Sequence, residues 1–493
     1  MKRIMGSLCG LAFAWLGASA VPPGPAQLPL LRVVDLNLGE TQDVELADGA
    51  KARVKLLALE EQCDPLRGAI REARVQVEVN GATATLGAAN YQLPVTVGGA
   101  QLDCPVTRGY NTNCNEDKWG LRKDARLRLW PAGSPWMAPG TFIYPLKQVW
   151  FASGTQMANE PCHVEGSELP SNKKIYYHDG LDFGGCEGLV EVVAATTGRV
   201  VSAAAVTLPD YEDTPVHPRA DVVYIIDGRG WYYRYSHLFE IDGAIKPGAS
   251  VHMGQRIGLL GKEGASGGWS HLHFDVKCRQ PSGLWGTQEA YAFVWEAYVR
   301  QYAPRLIAVA RPHRLAWAGA EVVLDGSRSW SAVGKVSRFD WTFCDGTTAT
   351  GPTVARRDAR PGTYSEILKI TGTAGAVASD FAVVQIIDQA QPDQLPPSIQ
   401  ATYAPSLGVQ ASAPVTFKVR TFRTTHGEET WDFGDGSAPV AVKSDGCVTP
   451  HAKDGFAITE HRFAKPGTYL VRVARANERG EQAIARLVVT VGP

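Results

Sequence analysis

The stretch Ser270-His271-Leu272-His273-Phe274-Asp275-Val276 alternates between polar and apolar side chains, residue by residue. Because successive side chains of a β-strand point to opposite faces, this period predicts a strand with His271 and His273 together on one face. The other face is apolar. Two imidazoles on one strand face are costly to bury without partners. A metal ion and a catalytic role would explain them, although histidines two residues apart also occur on strands without a metal.

Two further histidine motifs precede this strand in the chain. The first is His178-Asp179-Gly180-Leu181-Asp182-Phe183-Gly184, whose glycine predicts an extended segment with a tight turn between His178 and Asp182. Imidazole nitrogens and carboxylate oxygens are both common ligands of zinc. The second is Tyr235-Ser236-His237-Leu238, at the end of an aromatic strand. Each motif is weak alone, since a histidine beside an aspartate is an ordinary feature of surfaces and cores.

The three motifs together, in this order along the chain, are far more specific than any one of them alone. Residues from about 175 to 276 resemble the catalytic domain of the M23 family of metallopeptidases, the lysostaphin and LytM type. The resemblance rests on His-x-Gly-x-Asp, then Ser-His-Leu, then a glycine-rich approach to His-Leu-His-Phe. It implies an antiparallel-β peptidase domain in which His178, Asp182 and His273 bind Zn²⁺. It also implies that His237 and His271 are the catalytic residues.

Such a site has an expected chemistry. Three protein ligands leave one zinc position open, which is typical of catalytic sites rather than structural ones. Because the sequence has no carboxylate base of the His-Glu-x-x-His type, we expect histidines to handle the protons. His271 is the expected general base, and His237 the expected oxyanion stabiliser or proton donor, but the two roles could be exchanged.

The resemblance also implies a substrate class. The expected activity is hydrolysis of peptide bonds in peptidoglycan cross-links or stem peptides, and glycine-rich proteins are an alternative substrate. Two readings from other classes stay open: a non-catalytic peptidoglycan-binding or amidase-activating protein of the same fold, and an adhesin. The complete set of five residues favours the enzyme. A latent form, with the N-terminal domain over the groove, also stays open.

Two segments after residue 304 resemble one another. Phe339-Asp340-Trp341-Thr342-Phe343-Cys344-Asp345-Gly346 parallels Thr430-Trp431-Asp432-Phe433-Gly434-Asp435-Gly436, and a Pro-Gly-Thr-Tyr turn follows in each. The spacing of strands and turns predicts a small β-sandwich. The pair resembles the PKD domain, an immunoglobulin-like sandwich, and Cys344 stands where glycine is usual. This resemblance implies spacing or binding to protein or polysaccharide. The Asp-Gly pairs are interpreted as turn formers rather than calcium ligands.

The segment before the histidine motifs is predicted to be an all-β domain of unknown role. Arg74-Val75-Gln76-Val77-Glu78-Val79 alternates strictly, and Asn80-Gly81 follows as a hairpin turn. Residues 1–20 combine a basic start, an apolar run and Ala18-Ser19-Ala20, which predicts a signal peptide cleaved after Ala20. We therefore expect a secreted or periplasmic protein with no membrane span. The net charge of −1 gives no reason to expect a nucleic-acid partner.

Export changes the interpretation of the nine cysteines. Loss of Cys9 with the signal peptide leaves eight, an even number that permits up to four disulfides in an oxidising compartment. Cys104 and Cys114 bracket a short polar loop and are the first pair we expect. The loop of residues 204–220 is long and acidic. It is interpreted either as a border of the substrate groove or as a solvated insertion.

Together these patterns predict a mainly β, multidomain protein. After the signal peptide, four domains are expected: an all-β domain at 28–143, the M23-like zinc peptidase domain at 144–304, and PKD-like domains at 305–391 and 395–493.

Overall fold

The computed structural model describes residues 27–88, 91–112, 117–158, 169–171, 175–211 and 214–493. The predicted signal peptide lies outside the described residues, as do Cys114 and Cys162. Within the described ranges the chain is nearly all β, and strands account for every regular element except two helices. This confirms the predicted fold class.

The regular elements fall into four groups along the chain. The N-terminal group is β1 (Arg32–Leu36), β2 (Thr41–Glu45), β3 (Lys51–Cys63), β4 (Ile70–Val79), β5 (Ala82–Ala88), β6 (Val95–Val97), β7 (Ala100–Thr107), α1 (Gly109–Thr112) and β8 (Ala125–Pro131). The central group is β9 (Leu181–Gly184), β10 (Glu191–Val193), β11 (Gly198–Ala203), β12 (Val206–Thr207), β13 (Val223–Asp227), β14 (Tyr232–Ser236), β15 (Leu238–Ile241), β16 (Ser250–Val251), β17 (Arg256–Leu260), β18 (His271–Arg279), β19 (Trp285–Thr287) and α2 (Tyr291–Tyr302). The third group is β20 (Leu306–Ile307), β21 (Arg314–Trp317), β22 (Glu321–Asp325), β23 (Trp330–Ser331), β24 (Val336–Thr342), β25 (Thr348–Thr350), β26 (Thr353–Arg357), β27 (Gly362–Gly372) and β28 (Val377–Ile387). The fourth is β29 (Ser398–Ala404), β30 (Val415–Phe422), β31 (Glu429–Asp432), β32 (Val440–Val442), β33 (Ala457–His461), β34 (Gly467–Ala476) and β35 (Gln482–Val491).

The N-terminal group forms one sheet in the order β1-β8-β7-β5-β4-β3-β2, with β6 beside β7. The predicted alternation holds in β4, where Val75, Val77 and Val79 are buried and the residues between them are exposed or half-buried. Asn80 and Gly81 both have positive φ and join β4 to β5. Two successive residues in that conformation make the tight hairpin turn that the Asn-Gly pair predicts.

The central group carries the histidine motifs on a sheet of order β12-β11-β13-β14-β18-β19, to which β9 and β16 add. A second sheet has the order β10-β17-β15. Neighbouring strands in both run antiparallel, as expected. The apolar face of β18 is fully buried, and the Phe274 ring lies 5.3 Å from that of Tyr235. Burial of each such side chain stabilises the fold by about 1.5–3 kcal/mol and fixes which face of β18 carries the histidines.

The third and fourth groups form two β-sandwiches, as the repeat predicts, and we call them the first and second sandwich. Their repeated tryptophans, Trp341 and Trp431, are fully buried in separate cores. One strand pair joins the two units, because Gly362 and Thr363 of β27 lie parallel to Gln482 and Ala483 of β35. A single nine-stranded sheet therefore crosses from one sandwich into the other.

The cysteines differ from expectation. The six that the structure describes are free thiols: Cys63, Cys104, Cys186, Cys278, Cys344 and Cys447. No disulfide joins any two of these six, which could have formed three of the four that the count permits. Burial raises the pKa of the Cys186 thiol to about 11 and that of Cys278 to about 12. Because Cys104 is a free thiol, the Cys104–Cys114 disulfide expected first is not formed in the structure, and Cys114 itself lies outside the described residues.

The helices are short. Neither helix within the described ranges is long and apolar enough to span a bilayer. The predicted domain boundaries are consistent with the grouping of strands and stay predictions.

Candidate metal centre

The three predicted ligands meet because β9 lies beside β18. In the antiparallel register His273 is opposite Asp182, and His271 is opposite Gly184. His178 arrives from the segment before β9, which turns at Gly180. A Cβ at Gly180 would lie only 2.9 Å from Cε1 of His273, so this turn passes too close to the ligand for any larger residue.

The ligand atoms converge on one point. Nε2 of His178 lies 2.9 Å from Nδ1 of His273. Oδ1 of Asp182 lies 3.1 Å from the first nitrogen and 3.0 Å from the second. All three side chains are buried, with 5%, 2% and 5% exposure for His178, Asp182 and His273. These residues form the one cluster within the described residues whose His, Cys, Asp or Glu atoms could together hold a metal ion.

The donor set fits a zinc ion. Nε2 of His273 lies 3.1 Å from Oδ2 of Asp275, a carboxylate that can only accept, so Nε2 carries a proton and Nδ1 is the atom whose lone pair a metal ion would use after displacing the second proton. That lone pair faces a second ring nitrogen and a carboxylate, an arrangement that favours a cation between them. Tetrahedral zinc places neighbouring N and O ligands about 3.3 Å apart, close to the separations found here.

Burial and neighbouring charges perturb these groups in opposite directions. Burial would raise the pKa of Asp182, but His178 and His271 outweigh it and hold that pKa well below its ordinary value. Burial disfavours the charged form of His273, whereas hydrogen bonds to Asp182 and Asp275 raise its pKa to about 9. The metal-free site therefore holds an ionised carboxylate beside a protonated ring, and a metal ion would replace that proton.

The two predicted catalytic histidines lie next to this cluster. The ring centroids of His237 and His271 are 4.6 Å apart, and Nε2 of His271 lies 3.6 Å from Oδ1 of Asp182. His237 has a φ of 67°, a conformation that costs energy in any residue with a side chain. Its N–H donates to Oδ2 of Asp221 at 3.0 Å, which stabilises the strained backbone.

Backbone carbonyls fix the tautomers of both rings. Nδ1 of His237 lies 2.6 Å from the carbonyl oxygen of Glu263, and Nδ1 of His271 lies 3.1 Å from that of Trp269. Since a carbonyl only accepts, each Nδ1 carries the proton and each Nε2 presents a lone pair. Burial lowers the pKa of His237 to about 3 and also lowers that of His271. Both rings are neutral proton acceptors at neutral pH.

Sequence reasoning missed two carboxylates that support these histidines. Asp275 is buried between His273 and Arg234, with Oδ2 3.3 Å from the guanidinium. It lies two residues after His273, on the same strand face, so the alternation that indicated the histidines could have indicated it too. Asp221 gave no such signal, because it lies before β13 and meets His237 only through the pairing of β13 with β14.

The remaining sequence features near the site have structural roles. Asp179, which follows the first ligand, pairs with Lys277. The loop of residues 204–220 reaches the site at its end, where Nη2 of Arg219 lies 3.4 Å from Nδ1 of His237. Arg219 also donates from Nε to Asp221 at 3.0 Å. Whether this loop borders the groove stays a prediction.

Three family models match successive parts of the chain. Peptidase family M23 matches residues 176–282, and the PKD domain matches residues 303–386 and 400–491. The M23 range contains all five of the residues that the sequence assigns to the site.

Three solved structures illustrate what this chain is similar to. The catalytic domain of the prophage-encoded M23 protein EnpA from Enterococcus faecalis is 18% identical, with a TM-score of 0.20, over 32% of this chain and 95% of that one. Helicobacter pylori Csd3 is 14% identical, with a TM-score of 0.22, over 53% and 82% of the two chains. The fibronectin(III)-like modules of Clostridium thermocellum CbhA are 12% identical, with a TM-score of 0.16, over 38% and 93%.

Proposed function

Because this chain carries a peptidase family M23 domain followed by two PKD domains, we propose that it is a zinc-dependent endopeptidase. One observation carries the proposal: His178, Asp182 and His273 converge within 3.1 Å of one another, beside two neutral histidines. A site that only binds would need neither His237 nor His271, two buried imidazoles that are held neutral beside the cluster.

The residues divide the work of peptide hydrolysis. His178, Asp182 and His273 would hold the metal, and the ionised Asp182 would neutralise one of its two charges. When bound, a zinc ion supplies Lewis acidity towards a peptide carbonyl and an attacking water. The five side chains are nearly inaccessible to bulk solvent, which strengthens every charge interaction among them.

Proton transfer falls to His271 in this proposal. Its Nε2 carries a lone pair, and the Asp182 carboxylate at 3.6 Å would stabilise the imidazolium that forms when Nε2 takes a proton. That proton would then pass to the leaving amine. His237 also presents a lone pair at Nε2, so it can donate to an oxyanion only once it is protonated. Oδ2 of Asp221, 3.5 Å from its Nδ1, would favour that charged form.

The proposed substrates are peptide bonds of peptidoglycan cross-links or stem peptides, with glycine-rich proteins as the alternative. The M23 domain supports this class without selecting the bond. The PKD domains support binding to protein or polysaccharide outside the cytoplasm, and we propose that the protein is secreted or periplasmic.

The test uses protein of residues 21–493, loaded with zinc, on purified peptidoglycan and on a glycine-rich protein. Release of new amino groups would be measured for wild type, for chelator-treated protein and for His271→Ala. His252→Ala, an exposed histidine of the same domain, is the matched control. We expect activity only in wild type and the control, and mass spectrometry of the products would identify the bond. Zinc-loaded wild type that releases no amino groups from either substrate would contradict the proposal.

A further inference from the structure

Residues 262–270 form a segment that contacts both predicted catalytic histidines, and we call it the support segment. It supplies both carbonyls that fix the catalytic tautomers: that of Glu263 for His237 and that of Trp269 for His271. Yet it has almost no regular structure, and Gly264, Gly267 and Gly268 all have positive φ. Such a glycine-rich backbone has many accessible conformations, so contacts from outside must fix its position.

The hydroxyl of Ser270 donates to the carbonyl of Gly185 in the central group, and most of the other outside contacts come from the second sandwich. Gln400 of β29 forms hydrogen bonds with both backbone polar groups of Ser270: Oε1 accepts from Ser270 N, and Nε2 donates to Ser270 O, each at 2.7 Å. The Arg420 guanidinium of β30 donates to the carbonyl of Gly268 at 3.0 Å. The ring of Trp269 stacks on that of Phe422, with centroids 4.2 Å apart and planes 7° from parallel.

The far end of the segment is held from the same side. Nδ1 of His451 lies 3.1 Å from the carbonyl oxygen of Lys262. The ammonium of Lys262 pairs with Glu187, whose own carbonyl accepts from Lys418 of β30 at 2.8 Å. The second sandwich thus contacts both ends of the segment.

This interface is built like a protein interior. Gln400 is 2% exposed and Arg420 is fully buried. A Cβ at Gly268 would lie 2.7 Å from the Arg420 guanidinium and 2.8 Å from Sγ of Cys447, so the two surfaces fit only with glycine there. Separating the two domains would break these buried hydrogen bonds between them, which is costly. The interface therefore differs from that of a domain joined only by a flexible linker.

We propose that the second PKD domain is a structural part of the catalytic unit, which positions His237 and His271 by holding the support segment. Gln400 is the main positioning residue. This proposal rests on the proposed function, since it takes these two histidines to be catalytic. The ligands His178, Asp182 and His273 lie outside the segment, so a loosened segment should impair turnover while metal binding persists.

The experiment uses the full zinc-loaded protein with Gln400→Ala, which removes both hydrogen bonds to Ser270. The matched control is Val473→Ala, a cavity in the core of the same sandwich. For Gln400→Ala we expect kcat to fall roughly 10- to 100-fold, with KM and zinc content near those of wild type. Amide hydrogen exchange at residues 262–271 should quicken in this variant and stay unchanged in Val473→Ala.

Any of three results would overturn the proposal: a wild-type kcat in Gln400→Ala, an equal loss of kcat in Val473→Ala, or unchanged exchange of residues 262–271 in Gln400→Ala. Failure of the proposed function is distinguishable from these. If zinc-loaded wild type cleaves neither substrate, the peptidase assignment fails. Hydrogen exchange does not depend on activity, so unchanged exchange of residues 262–271 in Gln400→Ala would separately show that the sandwich does not hold the segment.

Discussion

Asp275→Asn should weaken zinc binding although Asp275 is not a ligand. The carboxylate of Asp275 lies between Nε2 of His273 at 3.1 Å and the Arg234 guanidinium at 3.3 Å. Both donors use one oxygen, Oδ2, so an amide oxygen in its place keeps both hydrogen bonds but without the negative charge that strengthens them. The reverse orientation donates to Nε2 of His273 and moves the ring proton to Nδ1, the atom that faces the other ligands.

The size of the effect follows from these contacts. A hydrogen bond to a charged group is worth about 1.5–3 kcal/mol when buried, and each 1.4 kcal/mol is about tenfold in affinity. Loss of the Asp275 charge also leaves Arg234 uncompensated beside a dication, which adds to the cost. We therefore expect the zinc dissociation constant to rise roughly 10- to 100-fold, in the range typical of groups that orient a metal-bound histidine.

The assay is competition for zinc against a chelating dye, with folding checked by circular dichroism. Asp227→Asn is the matched control, because Asp227 is also buried in this sheet and its Oδ2 pairs with Arg229 at 2.7 Å. If folded Asp275→Asn bound zinc within threefold of wild type, or if the control weakened binding equally, the orienting role of Asp275 would be refuted.

Four other results are expected. His237→Ala and His271→Ala should each lower kcat by roughly 10²- to 10⁴-fold while one zinc per chain is retained, measured by steady-state kinetics and metal analysis; loss of zinc in either would contradict their assignment to proton transfer. Gly261→Ala should destabilise the fold, because its Cβ would lie 2.4–2.7 Å from backbone atoms of residues 237 and 239, whereas Gly243→Ala has open space and should leave the melting temperature unchanged within a few degrees. Since the pKa of His273 is raised to about 9 in the metal-free site, zinc must displace a proton, and its affinity should fall about tenfold for each pH unit below 9; a dissociation constant independent of pH from 6 to 9 would refute this. The same raised pKa stabilises the metal-free fold below pH 6.5, and this contribution is lost as the pH rises through about 9. The free energies of unfolding of metal-free wild type and His273→Ala, measured by chemical denaturation, should therefore differ most below pH 6.5.

The strand face of His271 and His273 and the turn at Gly180 could be predicted because their determinants are local, whereas the set of proposed ligands was implied by the resemblance to the M23 family. Alternation along β18 placed His271 and His273 on one face, and the glycine between His178 and Asp182 indicated the turn that brings them together. Neither inference depends on contacts far along the chain. Strand alternation also predicted β4 and its hairpin turn for the same reason.

The support of the catalytic histidines could not be predicted, because it comes from distant parts of the chain. Gln400 contacts Ser270 across 130 residues, and nothing in the sequence around Gln400 distinguishes it from other polar strand residues. The carbonyl of Glu263 acts through the backbone, which no residue type reveals. The repeat predicted two sandwiches, but a fold alone does not state which surface of a domain packs on its neighbour.

The parallel pairing of β27 with β35 has a consequence for how the chain reaches its folded state. Gly362 and Thr363 complete one edge of the first sandwich only when Gln482 and Ala483 are in place. A ribosome must therefore synthesise on the order of 120 further residues before that edge is closed, and closure of so long a loop is slow. Until then the start of β27 offers unpaired N–H and C=O groups to any passing strand, so the nascent chain is most prone to aggregate in the interval before residues 482–491 emerge.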